Sequence, residues 1–246
     1  MKLYAALLAV LLAAGCAGTG AGPDPWRATN ERVFAFNETV DRYALEPVAR
    51  AWDFVLPDFA QRRIADFLDN LGRPVTAVHD ILQAKPLSAF RHVWGFAMNA
   101  TLGIGGLFDV AGLAGLEHDP EDFGQTLAHW GVPGGPYVVM PFLGPSNFRD
   151  SNAIFADIFI SPQFLLPDFP DAAFLAQRGA GILNARAAAL EEIDESRATS
   201  VDFYVFVREA WMQNRARQIR DGAPPPADDD FYDIDDLDDL DEEDLE

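Results

Sequence analysis

The chain has 246 residues, a formal net charge of −21 and one cysteine. This acidic balance excludes the basic face of a nucleic-acid-binding protein and argues against adhesion to anionic lipid by charge alone. A single cysteine cannot form an internal disulfide, so the fold must be stabilised by packing. The charge is uneven, because residues 224–246 hold thirteen Asp and Glu and no Lys or Arg, which leaves −9 on residues 16–223. The length allows one or at most two domains.

The N-terminal sequence MKLYAALLAVLLAAGC combines one lysine, an apolar run and small residues before Cys16. This pattern is typical of a secretory signal, and the run is too short to cross a bilayer, which takes about 20 apolar residues. The final AGC resembles the bacterial lipobox, although Ala13 stands where a leucine is usual. We therefore predict a signal peptide over residues 1–15 and acyl chains on Cys16. The alternative is an ordinary secretory signal with an incidental cysteine.

The segments that follow predict a tether and then a helical domain. Residues 16–25 are rich in Gly, Ala, Thr and Pro, as in a flexible linker. Over residues 26–222 apolar side chains recur at three- and four-residue spacing, and no sustained two-residue alternation appears before residue 130. Capping residues and prolines predict helices that begin at Thr29 or Asn30, restart at Pro47, run from Pro57 to Gly72, restart at Pro74 and then span Leu87–Thr101.

The predicted helix Leu87–Thr101 is apolar around most of its circumference. Ser88, His92 and Asn99 fall within a polar strip of only about 100°. Two interpretations stay open: a nearly buried helix with a solvated strip, or a helix surrounded by lipid or core with a polar cavity along the strip. On either one Trp94 lies in the middle of the apolar arc, and we predict that it is buried.

Residues 102–116, LGIGGLFDVAGLAGL, hold five glycines among apolar residues. Each glycine disfavours a helix by about 1 kcal/mol relative to Ala, so the segment predicts a loop or helical hairpin that avoids water. A dinucleotide-binding loop is excluded, because Phe108 replaces the last glycine of that motif and no strand precedes it.

The C-terminal half continues the helical pattern. Asp119 is predicted to cap a short helix with Pro120 at its first position. Tyr137 to Met140 fits a short extended piece. Further helices are predicted after Pro145, after Asp171 and through residues 201–219, and the acidic segment 223–246 is predicted to be disordered.

Residue patterns for catalysis and metal binding are missing from the sequence. Ser146 lies in GPSN rather than in the G-x-S-x-G elbow of a serine hydrolase. The four histidines lack metal-binding spacing such as H-E-x-x-H. His79-Asp80 and Glu121-Asp122 are only generic acid–base pairs. We predict no catalytic residues, no metal and no cofactor.

Several adjacent motifs, in order over about residues 25–221, make the sequence similar to the MlaA family, also called VacJ lipoproteins. The matching segments are FAFNETVDRYALEPVARAW (34–52), NLGRPVTAVHDILQAKP (70–86), NATLGIGGLFDVAG (99–112), EDFGQTLAHWGVPGGPYVVMPFLGPSNFRD (121–150) and FVREAW (206–211). Residues 160–200 match weakly, and the acidic tail lies outside the resemblance.

The resemblance implies an all-α single domain, a ring of amphipathic helices with apolar Gly- and Pro-rich loops. Such a protein is anchored in the outer membrane and embedded in its periplasmic leaflet, usually beside a trimeric porin. It is expected to take mislocalised phospholipids from the outer leaflet through a polar channel, without covalent chemistry. The lipids pass to a soluble periplasmic carrier of the MlaC type, which preserves the lipid asymmetry of the membrane.

The same resemblance assigns roles to two sets of residues. Ser88, His92 and Asn99 are candidates for the channel wall. The candidate hairpin at the channel mouth is formed by Gly103, Ile104, Gly105, Gly106, Leu107 and Phe108, whose apolar members would close it. Two alternatives stay open: a peripheral periplasmic lipoprotein that acts as an envelope scaffold or binding module, and a lipid hydrolase.

Overall fold

In the computed structural model, which describes residues 24–160 and 171–224, nearly all regular structure is helical, as predicted. Cys16, the signal peptide and the acidic tail lie outside the described residues. The elements in chain order are α1 (Arg27–Val40), a π-helical turn (Asp41–Leu45), α2 (Glu46–Val55), α3 (Asp58–Leu82), α4 (Pro86–Thr101), α5 (Val110–Leu113), α6 (Phe123–His129), β1 (Tyr137–Met140), β2 (Gly144–Asn147), α7 (Phe148–Ile160), α8 (Asp171–Ala188), α9 (Leu190–Thr199) and α10 (Phe203–Ile219).

The helical hairpin of α3 and α4 is the most extensive packing unit of the described chain. The prediction that one helix ends at Gly72 and another begins at Pro74 is wrong, because α3 runs unbroken through both residues. A proline inside a helix removes one backbone hydrogen bond and normally breaks or kinks it. Here the packing of α3 along α4 on both sides of Pro74 overrides that local preference. The helix predicted over Leu87–Thr101 is confirmed as α4.

A short antiparallel hairpin, β1–β2, interrupts the helices, with Tyr137 opposite Asn147 and Met140 opposite Gly144. The extended piece predicted at Tyr137–Met140 is thereby confirmed as β1.

The prediction that Thr29 or Asn30 caps the first helix is wrong, since α1 begins at Arg27. Asn30 instead lies inside α1, where its side chain donates to the Tyr137 carbonyl (3.0 Å) and accepts from the Val139 amide (2.9 Å). These two hydrogen bonds satisfy the Tyr137 carbonyl and the Val139 amide, which do not pair with β2.

The short helix α6 is capped by Asp122, whose carboxylate accepts from the Gln125 amide at 2.8 Å, and the prediction of Asp119 as its cap is wrong. Both aspartates are chemically suited to cap a helix. Arg215 of α10 decides between them, because its guanidinium holds the Asp122 carboxylate from the other side. The prediction of a helix through residues 201–219 is confirmed by α10.

Candidate functional site

Large apolar side chains lie on the outside of α2, α3 and α4. Trp94 is 54% exposed and Phe54 is 91% exposed. A soluble surface rarely carries so much contiguous apolar area. The other strongly exposed apolar residues of these helices and of the segment that follows α4 are Val48, Val55, Phe59, Ile81, Leu87, Phe90, Val93, Leu102, Ile104 and Leu113. The prediction that Trp94 is buried is therefore wrong: the apolar arc of α4 faces outward, so periodicity identified the arc but not the side on which it lies.

We expect Trp94→Ala to leave the free energy of unfolding within about 1 kcal/mol of the wild-type value, since truncation of exposed side chains costs little. The same change should weaken association with lipid vesicles several-fold, because it removes exposed apolar area. Thermal unfolding in detergent and vesicle flotation measure the two effects. The matched control is Trp52→Ala on α2, where a half-buried indole donates to Asn184 Oδ1 at 3.3 Å and stability should fall. A large loss of stability in Trp94→Ala would contradict the outward assignment.

The interface between α3 and α4 is polar, the reverse of a soluble helical hairpin. Arg73 and Asp80 of α3 are each 1% exposed. His92 of α4 lies against them, with Nδ1 2.6 Å from Asp80 Oδ2. Gly95 permits this packing, because a Cβ at that position would collide with the Arg73 guanidinium. Buried ionic groups of this kind are stable only when they are paired, so the contacts define one preferred arrangement of the two helices.

The candidate mouth hairpin, 103–108, is fastened to this interface by Asp109, the residue that follows it. Its carboxylate accepts from Asn99 Nδ2 at 2.8 Å, from the Gly112 amide at 3.0 Å and from Arg73 Nη2 at 3.3 Å. Burial raises the pKa of Asp109, but the hydrogen bonds from Asn99 and Gly112 and the charge of Arg73 outweigh it, and the pKa is lowered. The side-chain oxygen Oδ1 of Asn99 completes the junction by accepting from the Ala111 amide at 2.8 Å. We call the side chains of Arg73, Asn99 and Asp109 the hairpin latch.

The apolar tip of the hairpin rests on Arg63 of α3. The Arg63 guanidinium lies 4.6 Å from the ring centre of Phe108 and donates to the Leu107 carbonyl at 3.1 Å. Phe108 is 37% exposed and Ile104 is 66% exposed, so both contribute to the outer apolar surface. Gly106 has a φ of +95° and lies against the Asn70 amide, at 2.7 Å from where its Cβ would be, so only glycine fits there.

A second buried polar cluster joins α6, α7 and α10. Arg215 holds Asp122 with two hydrogen bonds of 2.7 and 2.8 Å and Asp150 with one of 2.7 Å. Burial raises the pKa of Asp122, but the hydrogen bonds from Arg215 dominate, and the pKa lies below its ordinary value of 3.8. A Cβ at Gly124 would overlap both Asp150 and Arg215, so a glycine is required beside the pair.

A cavity of about 660 Å³ opens between the start of α4, residues 119–121 and the end of α10. Of the three predicted channel residues, Ser88 and His92 line this cavity. Asn99 does not, because its amide is occupied by the hairpin latch. The polar strip of α4 thus has two parts: Ser88 and His92 line the cavity, and Asn99 holds the hairpin.

The generic acid–base pairs occupy structural positions. His79 lies with Nδ1 3.1 Å from Thr126 Oγ1 and Nε2 3.1 Å from Asp157 Oδ1. Glu121 accepts from Gln83 at 2.8 Å and from Lys85 at 3.2 Å. Burial, with the charge of Arg73, lowers the pKa of His118 to about 4, so this imidazole is neutral at pH 7. No cluster of three potential metal ligands occurs within residues 24–160 and 171–224.

Sequence reasoning missed Asn70, Arg73, Asp109 and Arg215 as site residues. A signal was present in α3, where Asn70, Arg73, Thr76 and Asp80 recur at helical spacing. Such a stripe is ordinarily assigned to solvent. The polar stripe can be assigned to the interior of the protein only once the apolar side of α3 is known to form the outer surface.

Among the described residues, no helix combines the length and hydropathy needed to cross a membrane.

Comparison with known proteins places this architecture in a family. The family model "MlaA lipoprotein" matches residues 22–218. The Escherichia coli protein "Intermembrane phospholipid transport system lipoprotein MlaA" is 34% identical, over 96% of this chain and 98% of its own length. The protein of the same name from Haemophilus influenzae is 30% identical, over 89% of this chain and 91% of its own. An uncharacterized protein of Rickettsia bellii is 36% identical, over 80% and 77% of the two chains.

A solved structure agrees with the sequence relatives. It is described as the "Structural basis for maintenance of bacterial outer membrane lipid asymmetry". It superposes with a TM-score of 0.67 at 34% identity, and the match covers 80% of this chain and 98% of the other. With a family model that spans most of the sequence, an all-α fold and relatives matched over nearly their whole length, the chain belongs to the MlaA lipoprotein family.

Proposed function

We propose that this chain is an outer-membrane lipoprotein that removes mislocalised phospholipids from the outer leaflet through a polar channel and so maintains lipid asymmetry. The observation that carries the proposal is the inverted distribution of side chains: Phe54, Leu87 and Trp94 lie outside, whereas Arg73, Asp80 and His92 lie inside. An apolar outer surface suits a hydrocarbon environment, and helices satisfy their own backbone groups there. A polar interior suits the passage of a charged headgroup through that environment. Relatives named for intermembrane phospholipid transport support it.

The proposal includes the membrane setting and the partners that the family resemblance implies. The helices lie in the periplasmic leaflet as a ring, anchored by acyl chains on Cys16. A porin trimer holds the ring, and a soluble periplasmic carrier receives the lipid. Neither step involves covalent chemistry, so no catalytic residue is assigned.

Within this function the proposed channel wall is formed by Ser88 and His92, which line the cavity, with Asn99 as a positioning residue of the latch. The hairpin 103–108 is the proposed gate. Its apolar side chains rest on Arg63 rather than in a core, so the closed state is supported by a few contacts and can be released.

Deletion of the gene should increase the phospholipid exposed on the cell surface, since removal from the outer leaflet would stop. Labelling of surface phosphatidylethanolamine with a membrane-impermeant amine reagent measures the effect. Re-expression of the full chain should restore the wild-type level. Unchanged labelling in the deletion strain would contradict a role in lipid removal and favour the scaffold alternative.

Cys16→Ser should abolish incorporation of a radioactive fatty acid into the protein, because Cys16 is the only thiol and follows a lipobox-like segment. The control is Ser88→Ala, which leaves the thiol intact and should label as the wild type does. Labelling that persists in Cys16→Ser would sink the assignment of the anchor.

The scaffold alternative predicts a different result for the unanchored protein. With Cys16 replaced and the leader exchanged for an ordinary secretory signal, an embedded ring should still need detergent for extraction, because Phe54, Leu87 and Trp94 stay exposed. Release into the soluble periplasmic fraction would favour a peripheral scaffold. In vitro release of fatty acid from phospholipid would instead favour the hydrolase.

A further inference from the structure

The cavity at the start of α4 has walls from three parts of the chain. Lys85, Ser88 and Arg91 belong to the start of α4, and Arg217 belongs to the last turn of α10. Residues 119–121 complete the wall, with Asp119 and Glu121. Its volume of about 660 Å³ falls within the range of roughly 300–1,000 Å³ that is usual for small-ligand sites.

The charges in the cavity are balanced but only partly paired. Three basic side chains (Lys85, Arg91, Arg217) and three acidic ones (Asp119, Glu121, Asp221) line it. Lys85 is fully engaged, with Nζ 3.2 Å from Glu121 Oε1 and 2.5 Å from Asp221 Oδ1.

The remaining charges are available to a ligand. Arg91, Arg217 and Asp119 form no ion pair within the described residues, and all three are exposed. Arg217 makes one polar contact, donating to Asn214 at 3.2 Å. The cavity therefore presents two free guanidinium groups and one free carboxylate, and the formal charges of its Lys, Arg, Asp and Glu side chains sum to zero.

His92 adds a ring nitrogen to this wall. The residue is 4% exposed, lines the cavity and has Nδ1 bonded to Asp80. A carboxylate accepts hydrogen bonds, so Nδ1 carries the hydrogen of this bond and Nε2 is the ring nitrogen left for another partner. Within the described residues Nε2 has no hydrogen-bond partner. A ligand group that donates a hydrogen bond would complete it.

The rim of the cavity is apolar on the side of α4. Leu87 lines the cavity and is 65% exposed. Phe90 and Trp94 follow on the same helix face, also exposed, with their rings stacked at 6.5 Å. A polar cavity thus opens directly onto an apolar ridge, which is the order of polarity along a phospholipid from headgroup to acyl chain.

From this arrangement we infer that the cavity is a headgroup-selective site for zwitterionic aminophospholipid. The phosphate diester lies between Arg91 and Arg217, since guanidinium forks match phosphate oxygens. The primary ammonium faces Asp119 and donates to His92 Nε2, and the acyl chains follow Leu87, Phe90 and Trp94. A net-anionic headgroup such as phosphoglycerol lacks the ammonium and meets the Asp119 carboxylate instead. The inference rests on the proposed lipid transport and adds the headgroup to it.

The test uses the full, acylated chain in detergent micelles that contain equal amounts of phosphatidylethanolamine and phosphatidylglycerol. Native mass spectrometry counts each lipid retained by the protein. The wild type should retain phosphatidylethanolamine about tenfold over phosphatidylglycerol, the ratio that about 1.4 kcal/mol produces. Asp119→Lys should reverse the preference. Arg91→Ala combined with Arg217→Ala should lower the retention of both lipids at least tenfold, since both carry the phosphate.

The matched control is Arg62→Ala, an exposed arginine of α3 outside the cavity, which should retain both lipids as the wild type does. If Asp119→Lys fails to fold, Asp119→Asn serves in its place and should erase the preference. Equal retention of the two lipids by the wild type, or an unchanged ratio in the Asp119 variants, would overturn the headgroup site and leave lipid transport standing. Retention of neither lipid by the wild type would overturn the proposed function as well.

Discussion

Arg215→Met should destabilise the fold by about 2–3 kcal/mol, because it leaves the partly exposed Asp122 carboxylate without its cation and leaves Asp150 paired with Arg149 alone. Asp150 is 7% exposed, and Asp122 loses both of its hydrogen bonds to the guanidinium. For a domain of this size the unfolding temperature should fall by roughly 4–12 °C, at about 2–4 °C per kcal/mol. Differential scanning calorimetry in detergent measures the change.

The pH dependence of stability provides a second measurement of the same cluster. The pKa of folded Asp122 is lowered from 3.8, so its stabilising effect is complete above that value and is lost as the pH falls through the lowered folded pKa. The wild type should therefore lose stability below about pH 4, and Arg215→Met should lose less over that interval. Arg62→Met, an exposed arginine on α3, is the matched control and should behave as the wild type does. An unfolding temperature of Arg215→Met equal to that of Arg62→Met would show that the cluster does not stabilise the fold.

Asp109→Asn should release the hairpin latch while it preserves the size of the side chain. Arg73 is 1% exposed, and its remaining contact would be with the Leu116 carbonyl at 3.2 Å. Hydrogen bonds to a charged group contribute about 1.5–3 kcal/mol each, and the variant weakens those from Arg73, Asn99 and the Gly112 amide. Amides of residues 103–113 should therefore exchange with deuterium at least tenfold faster, since about 1.4 kcal/mol produces a tenfold change.

The consequence in the cell follows from the proposed gate. A hairpin released from its latch should let lipid flow without control and give a dominant envelope defect with the protein at normal abundance. Immunoblotting and a strain that also carries the wild-type gene test this. Leu113→Ala, which changes a 90% exposed residue next to the same hairpin, is the control and should change neither exchange nor phenotype. Unchanged deuterium exchange in Asp109→Asn, or a recessive defect with degraded protein, would show that Asp109 does not hold the hairpin closed.

Most of the secondary structure was predictable because it depends on local spacing. The arc of α4, the helix through residues 201–219 and the extended piece at Tyr137–Met140 all follow from periodicity and turn residues. The predicted ends of helices were wrong where a contact with a residue distant in the chain determines them. Pro74 stays inside α3 because α4 packs along it, and Asp122 caps α6 because Arg215 holds it.

The site was predictable only in part, for a related reason. Ser88 and His92 were predicted together because both lie on one polar strip, and both line the cavity; their place in a channel wall stays a prediction. Asp109 and Arg215 were missed because long-range ion pairs leave no local pattern, and their partners lie 36 to 93 residues away in the chain. Arg73 was missed because its polar stripe on α3 is of the kind ordinarily assigned to solvent.

The sequence by itself determined which residues share a face: it fixed the apolar arc of α4, the polar strip opposite and the helical class of the fold. Only the tertiary structure decided which face points inward. The hydrophobic effect assigns apolar residues to the interior when water is the solvent, and that assumption placed Trp94 in a core. In the folded chain the interior holds the ion pair of Arg73 with Asp109 and the hydrogen-bonded pair of Asp80 with His92, and the outer surface holds Phe, Trp and Leu side chains. Periodicity is the same for both arrangements, since it records the angle between two faces and not the environment of either.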